Sequence, residues 1–252
     1  MRLLALLATL VALHGVPAAA QSLGLDALEL SAAADSKGRA ALRLSGDWAI
    51  TGAHGLQLDM GLGDTGGGTG SGALGQLDAH LYLAPRPGRK YGLFLSLADV
   101  DGREATVAMA GIEGMIDASP ATTLSAAAAL GYARPGALDF VALRGGLRHA
   151  LGPHLSAFAA AQIAEIDETR LRALPWQARA GLAWDAPALP VEIAVALVAD
   201  GIGGRDGAAT GQRAELSLTW RFGGGRGAAR PVSDRLFETW QPFDPLLRRG
   251  LF

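Results

Sequence analysis

Apolar side chains recur at every second position over almost the whole of residues 23–222. Leu42, Leu44, Trp48 and Ile50 alternate with Arg43, Ser45, Asp47 and Ala49, and Leu56, Leu58, Met60 and Leu62 alternate with Gln57, Asp59 and Gly61. The same rhythm runs through Leu77–Leu83, Tyr91–Leu97, Leu124–Tyr132, Val141–Leu147, Leu155–Ile163, Trp176–Trp184, Val191–Leu197 and Leu216–Phe222. A period of two belongs to β-strands, because successive side chains point to opposite faces. A weaker strand at 23–34 and one at 104–115 bring the count to twelve. In the latter, Val107, Ala108, Met109 and Ile112 fall on both parities, so its two faces are not distinguished. Turn signals such as Asp35-Ser36-Lys37-Gly38, Arg134-Pro135-Gly136 and Asp185-Ala186-Pro187 separate the strands.

What surrounds such strands follows from composition. Half of the 252 residues are hydrophobic, 18% are charged and mean hydropathy is +0.23, which excludes a disordered chain. After Gln21 no stretch has the length of a membrane helix; the most apolar, Ala188–Ala199, is interrupted by Pro190 and Glu192. That leaves a soluble sandwich or a barrel in lipid. A sandwich needs charged outer faces, yet Lys37 and Lys90 are the only lysines. Connections also alternate, with longer ones at Gly63–Gly75, Glu165–Pro175 and Ala199–Gln212 and tight ones at Thr51–Gly55, Leu151–His154 and Asp185–Pro190. Aromatic residues on the apolar face lie near strand ends. Trp48, Tyr91, Trp184, Trp220 and Phe222 would mark one water boundary, and Tyr132 and Trp176 the other. The sequence therefore predicts an all-β, transmembrane, antiparallel up-and-down barrel of about twelve strands.

The beginning and end of the chain carry separate signals. Arg2, the apolar run Leu3–Leu13, the breakers Gly15 and Pro17, and Ala18-Ala19-Ala20 form the layout of a cleaved secretory signal peptide. The expected organisation is a signal at 1–20, a barrel at 21–222, and a linker with an amphipathic tail at 223–252. The tail opens on Gly223-Gly224-Gly225-Arg226-Gly227. It then sets Leu236, Phe237, Trp240, Phe243, Leu246 and Leu247 among charged residues, with spacing that allows a short helical turn before Pro242. Such a tail could be disordered in the periplasm, plug the lumen from below, or dock a periplasmic partner.

The segment Ala214-Glu215-Leu216-Ser217-Leu218-Thr219-Trp220-Arg221-Phe222 resembles the final strand of Gram-negative outer-membrane β-barrels of the porin type. In that family alternate apolar residues lead to an aromatic, a spacer and a terminal phenylalanine that the barrel assembly machinery reads. The resemblance implies export to the outer membrane, contact with outer-membrane lipid and recognition of Trp220 and Phe222 during insertion. The chain departs from the pattern by continuing for thirty residues, to a second terminal phenylalanine, Phe252.

The polar face supplies the candidate functional residues. Arg43, Asp47, Asp59, Asp78, His80, Glu113, Arg144, Arg148, Arg179, Glu192, Glu215 and Arg221 are expected to point inward as a pore lining of both signs. Other inward positions, Ala127, Ala129, Gly131, Ala160, Ala194 and Ala196, are too small to fill a lumen. A net charge of −2 removes the footprint of a nucleic-acid binder. The absence of cysteine removes disulfides, thiolate metal sites and cysteine nucleophiles. The glycine run at 66–72 lacks the lysine of a phosphate loop. The opening Asp99-Val100-Asp101 echoes a calcium loop, but Arg103 stands at a ligand position and the twelfth-position glutamate is missing. No cofactor or metal is expected. No serine stands in a nucleophile elbow, and His80 beside Asp78 is the nearest approach to an acid–base pair. The expected function is a porin-like channel for passive diffusion of small polar solutes. The alternatives are a structural or docking barrel and an outer-membrane hydrolase.

Overall fold

The computed structural model describes residues 24–64, 72–101, 105–223, 225 and 227–249. The signal peptide, most of the glycine run, Arg103 and Phe252 lie outside the described residues. Twelve strands form one closed antiparallel barrel in sequence order: β1 (Leu25–Asp35), β2 (Ala40–Ala49), β3 (His54–Asp64), β4 (Ala73–Arg86), β5 (Arg89–Val100), β6 (Ala105–Ser119), β7 (Thr122–Arg134), β8 (Leu138–Ala150), β9 (Leu155–Asp167), β10 (Arg172–Asp185), β11 (Val191–Gly203) and β12 (Ala208–Gly223). Closure joins β1 to β12 from Ala27↔Gly223 to Asp35↔Glu215, with a Ser31–Thr219 hydroxyl contact of 3.0 Å across the seam. No edge strand is left to pair with another chain.

The barrel has two rims. The proximal rim carries the start of β1, the end of β12 and the connections 50–53, 87–88, 120–121, 151–154 and 186–190. The distal rim carries the connections 36–39, 135–137, 168–171 and 204–207, together with the ends of β3 and β5 and the starts of β4 and β6. Two of the expected long connections are in fact short. Glu165–Pro175 and Ala199–Gln212 are consumed by strand, because Ile166, Ala173 and Ile202 still find buried positions inside the barrel. In sequence, eight residues separate β3 from β4, twice the four between β9 and β10 or between β11 and β12.

Polarity is inverted on the outer wall. Leu93, Leu95, Leu97, Leu130, Leu143 and Leu197 stand exposed, Leu197 at 73%. Water does not tolerate a continuous apolar belt of this extent on a monomeric protein. At its edges sit the aromatic residues of the outer face. Tyr91, Tyr132 and Trp184 are exposed, Trp48, Trp176 and Phe222 are half-buried, and Trp220 is buried against Phe222 with ring centroids 6.1 Å apart.

Glycines opposite aromatics shape the wall. Five registered pairs, Gly55↔Tyr82, Gly111↔Phe94, Gly131↔Phe140, Gly181↔Phe158 and Gly201↔Trp176, set a ring over a bare backbone. At Gly131 an added Cβ would lie 2.1 Å from the Phe140 ring, whereas at Gly145 it would meet nothing within 4 Å. Gly131→Ala is therefore expected to cost about 1–3 kcal/mol, and Gly145→Ala about 0.5 kcal/mol or less. Urea unfolding of both variants in lipid vesicles checks this; equal midpoints would remove the steric argument.

Candidate functional site: a lumen occupied by the C-terminal tail

The chain does not leave the barrel after β12. Gly223 has φ +77°, and a Cβ there would stand 2.3 Å from the Asp26 carbonyl, so glycine permits the turn away from the wall. The tail then ascends through the lumen. At the proximal rim the Ala228 and Ser233 amides donate to the carbonyls of Pro153 and Pro87, at 3.1 and 2.8 Å. Just inside that rim Lys90 Nζ donates to the Arg235 carbonyl (3.0 Å), and mid-lumen Arg144 Nη1 donates to that of Glu238 (2.8 Å). At the distal rim, Arg249 Nη2 donates to the Ala209 carbonyl at 2.7 Å. A single 3-10 turn at Val232–Asp234 precedes Pro242, and the tail's α-helix, α1 (Asp244–Arg248), follows it; residues 235–241, where the apolar spacing allows a helical turn, are not helical. Pro245 in the first turn suits a helix start, where its missing N–H is not needed.

Four glutamines carry much of this path. Gln57 Nε2 donates to the Phe237 carbonyl (2.9 Å) while its Oε1 accepts from the Phe237 amide (2.8 Å), as a strand neighbour would. Gln76 reaches the Trp240 carbonyl, Gln162 the Gln241 carbonyl and Gln177 the Asp244 carboxylate. An extended segment in a closed barrel has no strand to pair with, so wall amides satisfy its backbone instead.

Of the twelve residues expected on the polar face, Asp47, Asp59, Asp78, His80, Glu113, Glu192 and Arg221 are buried, and Arg43, Arg144, Arg148, Arg179 and Glu215 line cavities beside the tail. Some of them, with further charged residues, gather in three interior groups. Near the proximal rim, Arg221 pairs with Glu29 (3.2 Å), Asp185 and Glu192 (2.6 Å), and Arg148 also pairs with Glu192. On the β3–β6 wall, His80 bridges Asp59 (3.1 Å) and Glu113 (2.6 Å), with the Phe237 ring stacked on it at 5.6 Å. His80 thus pairs across strands, and Asp78 is instead held by Gln76. At the distal rim, Asp35, Asp200 and Asp244 bind Arg213, Arg248 and Arg249. Among the described residues no group of side chains fits a metal ion.

The interior is not polar throughout. Toward the distal rim β5–β11 turn Val100, Val107, Met109, Leu138, Phe140, Ile166 and Ile202 inward, where they pack against Trp240, Phe243, Leu246 and Leu247 of the tail. Phe140 and Phe243 lie 4.6 Å apart. This settles the two faces of β6: Ala105, Val107, Met109, Glu113 and Met115 point inward, and Ile112 and Ile116 outward.

Space remains beside the tail. Two cavities, of 260 and 240 Å³, lie between it and the wall, the larger against β1, β2 and β6–β12 and the smaller against β1–β4, β8–β10 and β12. Both are lined by Arg43, Arg144, Arg179 and Glu215. The larger adds Arg148, Arg221, Arg230 and Arg235 against Glu29, Glu113, Glu192 and Glu238, so cations outnumber anions. Arg144 is committed to Glu238. Among the described residues Arg43 and Arg179 make no ion pair within 4.0 Å, and Arg179 Nε is buried without a hydrogen-bond partner.

No protein-family model matches the sequence, and neither does any curated protein. Solved structures do resemble it. An outer membrane channel from Pseudomonas putida F1 matches with a TM-score of 0.57 at 12% identity, covering 79% of this chain and 96% of that one. The NanC porin gives 0.55 at 7%, covering 77% and 98%, and the KdgM porin 0.52 at 8%, covering 77% and 98%. What is shared is the fold. At these identities the likeness places the chain among closed antiparallel barrels of the kind seen in outer-membrane porins and channels.

Proposed function

We propose that the protein is an outer-membrane channel that passes small anionic solutes through a narrow crevice between its wall and its own tail. The apolar outer belt supports residence in lipid, where strands of 10–16 residues are long enough to cross the hydrocarbon layer. Export by the 1–20 signal and insertion through Trp220 and Phe222 belong to the same proposal. So does the orientation, with the proximal rim in the periplasm. The preference for anions rests on Arg43 and Arg179, which face both cavities. Among the described residues they make no ion pair within 4.0 Å, and they outnumber Glu215, the one carboxylate that lines both cavities beside them. A confined positive surface raises the local concentration of anions.

Planar-bilayer recording tests this. The intact protein should show a small conductance that favours chloride over potassium. Arg43→Glu together with Arg179→Glu should move the reversal potential toward cation preference, since each reversal changes the lining by two charges. A parent channel that prefers cations would contradict the proposal.

A second reading, a structural barrel with a sealed lumen, is favoured by the packing of Phe243, Leu246 and Leu247 across the distal half of the interior. It predicts no conductance while the tail is in place. Binding of a periplasmic partner by the tail would require residues 227–249 to leave the wall they now contact.

A further inference from the structure

The tail shows the wall two things at once, an apolar body and a carboxylate. Phe243, Leu246 and Leu247 fill the distal apolar cup, and the Glu238 carboxylate binds Arg144 below it. On β8 the inward positions Phe140, Ala142 and Arg144 descend from cup to guanidinium. That descent covers roughly 13 Å, four residues at about 3.3 Å each. The Glu238 side chain is 58% exposed, toward the cavity that Arg43 and Arg179 also line, so the arginine tier borders open space inside the lumen.

We propose that the lumen is a binding site for an amphipathic anion, an apolar chain ending in one carboxylate, and that the tail fills this site in its place. The proposal rests on the channel reading and names its substrate class. A lumen meant for small hydrophilic ions alone has no use for a cup of Val107, Met109, Leu138, Phe140, Ile166 and Ile202, which would stand wet whenever the tail withdrew. A lumen for neutral apolar molecules has no use for an arginine tier at its base, where unpaired cations are costly unless an anion joins them. Together they fit a medium-chain carboxylate, with the chain in the cup and the carboxylate between Arg144 and Arg179.

The absence of cysteine from the chain gives a clean probe. Thr239, buried in the lumen, is replaced in Thr239→Cys, and maleimide labelling is followed in nanodiscs. Decanoate below its micelle concentration should accelerate labelling about tenfold by shifting the tail out of the lumen. Butyrate, which lacks the chain, and decanol, which lacks the charge, should not. Arg179→Gln should remove the response to decanoate. The same displacement should appear without any cysteine, as a decanoate-dependent change in emission that disappears in Trp240→Phe. No effect of decanoate on labelling or emission would overturn the proposal, as would equal acceleration by decanol. If labelling fails to respond while the parent still conducts anions, the substrate class is wrong and the channel stands. If the parent never conducts, the channel reading itself falls.

Discussion

Deleting residues 227–252 is expected to raise single-channel conductance by about tenfold and to leave a barrel that still resists heat in detergent. A closed barrel of twelve strands lies between eight-stranded barrels filled by their own side chains and sixteen-stranded open porins. Here the tail supplies the filling. Without it, inward Ala127, Ala129, Ala160, Ala194 and Ala196 leave a central void, and water enters from both rims. The strands keep their ladder, because among the described residues no β-pairing involves the tail. The apolar cup becomes wet, so the truncated barrel should also bind a hydrophobic dye that the full chain excludes. Unchanged conductance in a folded truncated barrel would show that something else obstructs the lumen.

Lys90→Met should be the most destabilising single change in the wall. Lys90 is fully buried: its ammonium lies 3.6 Å from Asp47, donates to the Arg235 carbonyl and sits 3.7 Å over the Tyr82 ring. Among the described residues, removing it leaves the buried Asp47 carboxylate without a cation, held only by the Tyr82 hydroxyl at 2.7 Å, and frees one anchor of the tail. Breaking such a buried pair costs about 3–5 kcal/mol. Lys90→Met with Asp47→Asn should recover a large part of that loss, because the orphaned charge is the main penalty. Unfolding midpoints of the single and double variants measure both quantities. A double variant no more stable than Lys90→Met would assign the loss to packing instead.

The strand count and the inward set were legible because backbone geometry enforces them. Once Leu42, Leu44 and Trp48 face out, Arg43, Ser45 and Asp47 must face in. The same rule failed at β6 for a physical reason. Its distal inward residues, Ala105, Val107 and Met109, touch the apolar tail, so both faces of the strand are hydrophobic and periodicity has nothing to separate. Strand ends at 165–175 and 199–212 were misjudged for a related cause: packing inside the distal rim, not a change of composition, keeps those residues in the sheet. The tail's seat was not legible. Gln57 meets Phe237 at a separation of 180 residues, and a neutral glutamine on a polar face carries no mark of its partner. Lys90 was equally silent, one basic residue beside Arg89 at a strand start. The available signal was the large apolar content of the tail, which asked for a covering without saying which.

Site-directed crosslinking in intact outer membranes tests most directly whether the tail occupies the lumen. Arg144→Cys and Glu238→Cys replace two side chains that meet in an ion pair between β8 and the tail. A protease site placed in the glycine-rich linker at 223–227 then cuts the tail from the barrel. A short bis-maleimide is expected to keep the tail fragment on the barrel after cleavage, and each single-cysteine control should release it. Release of the tail from the double-cysteine protein, or its crosslinking to other proteins in place of β8, would contradict the account.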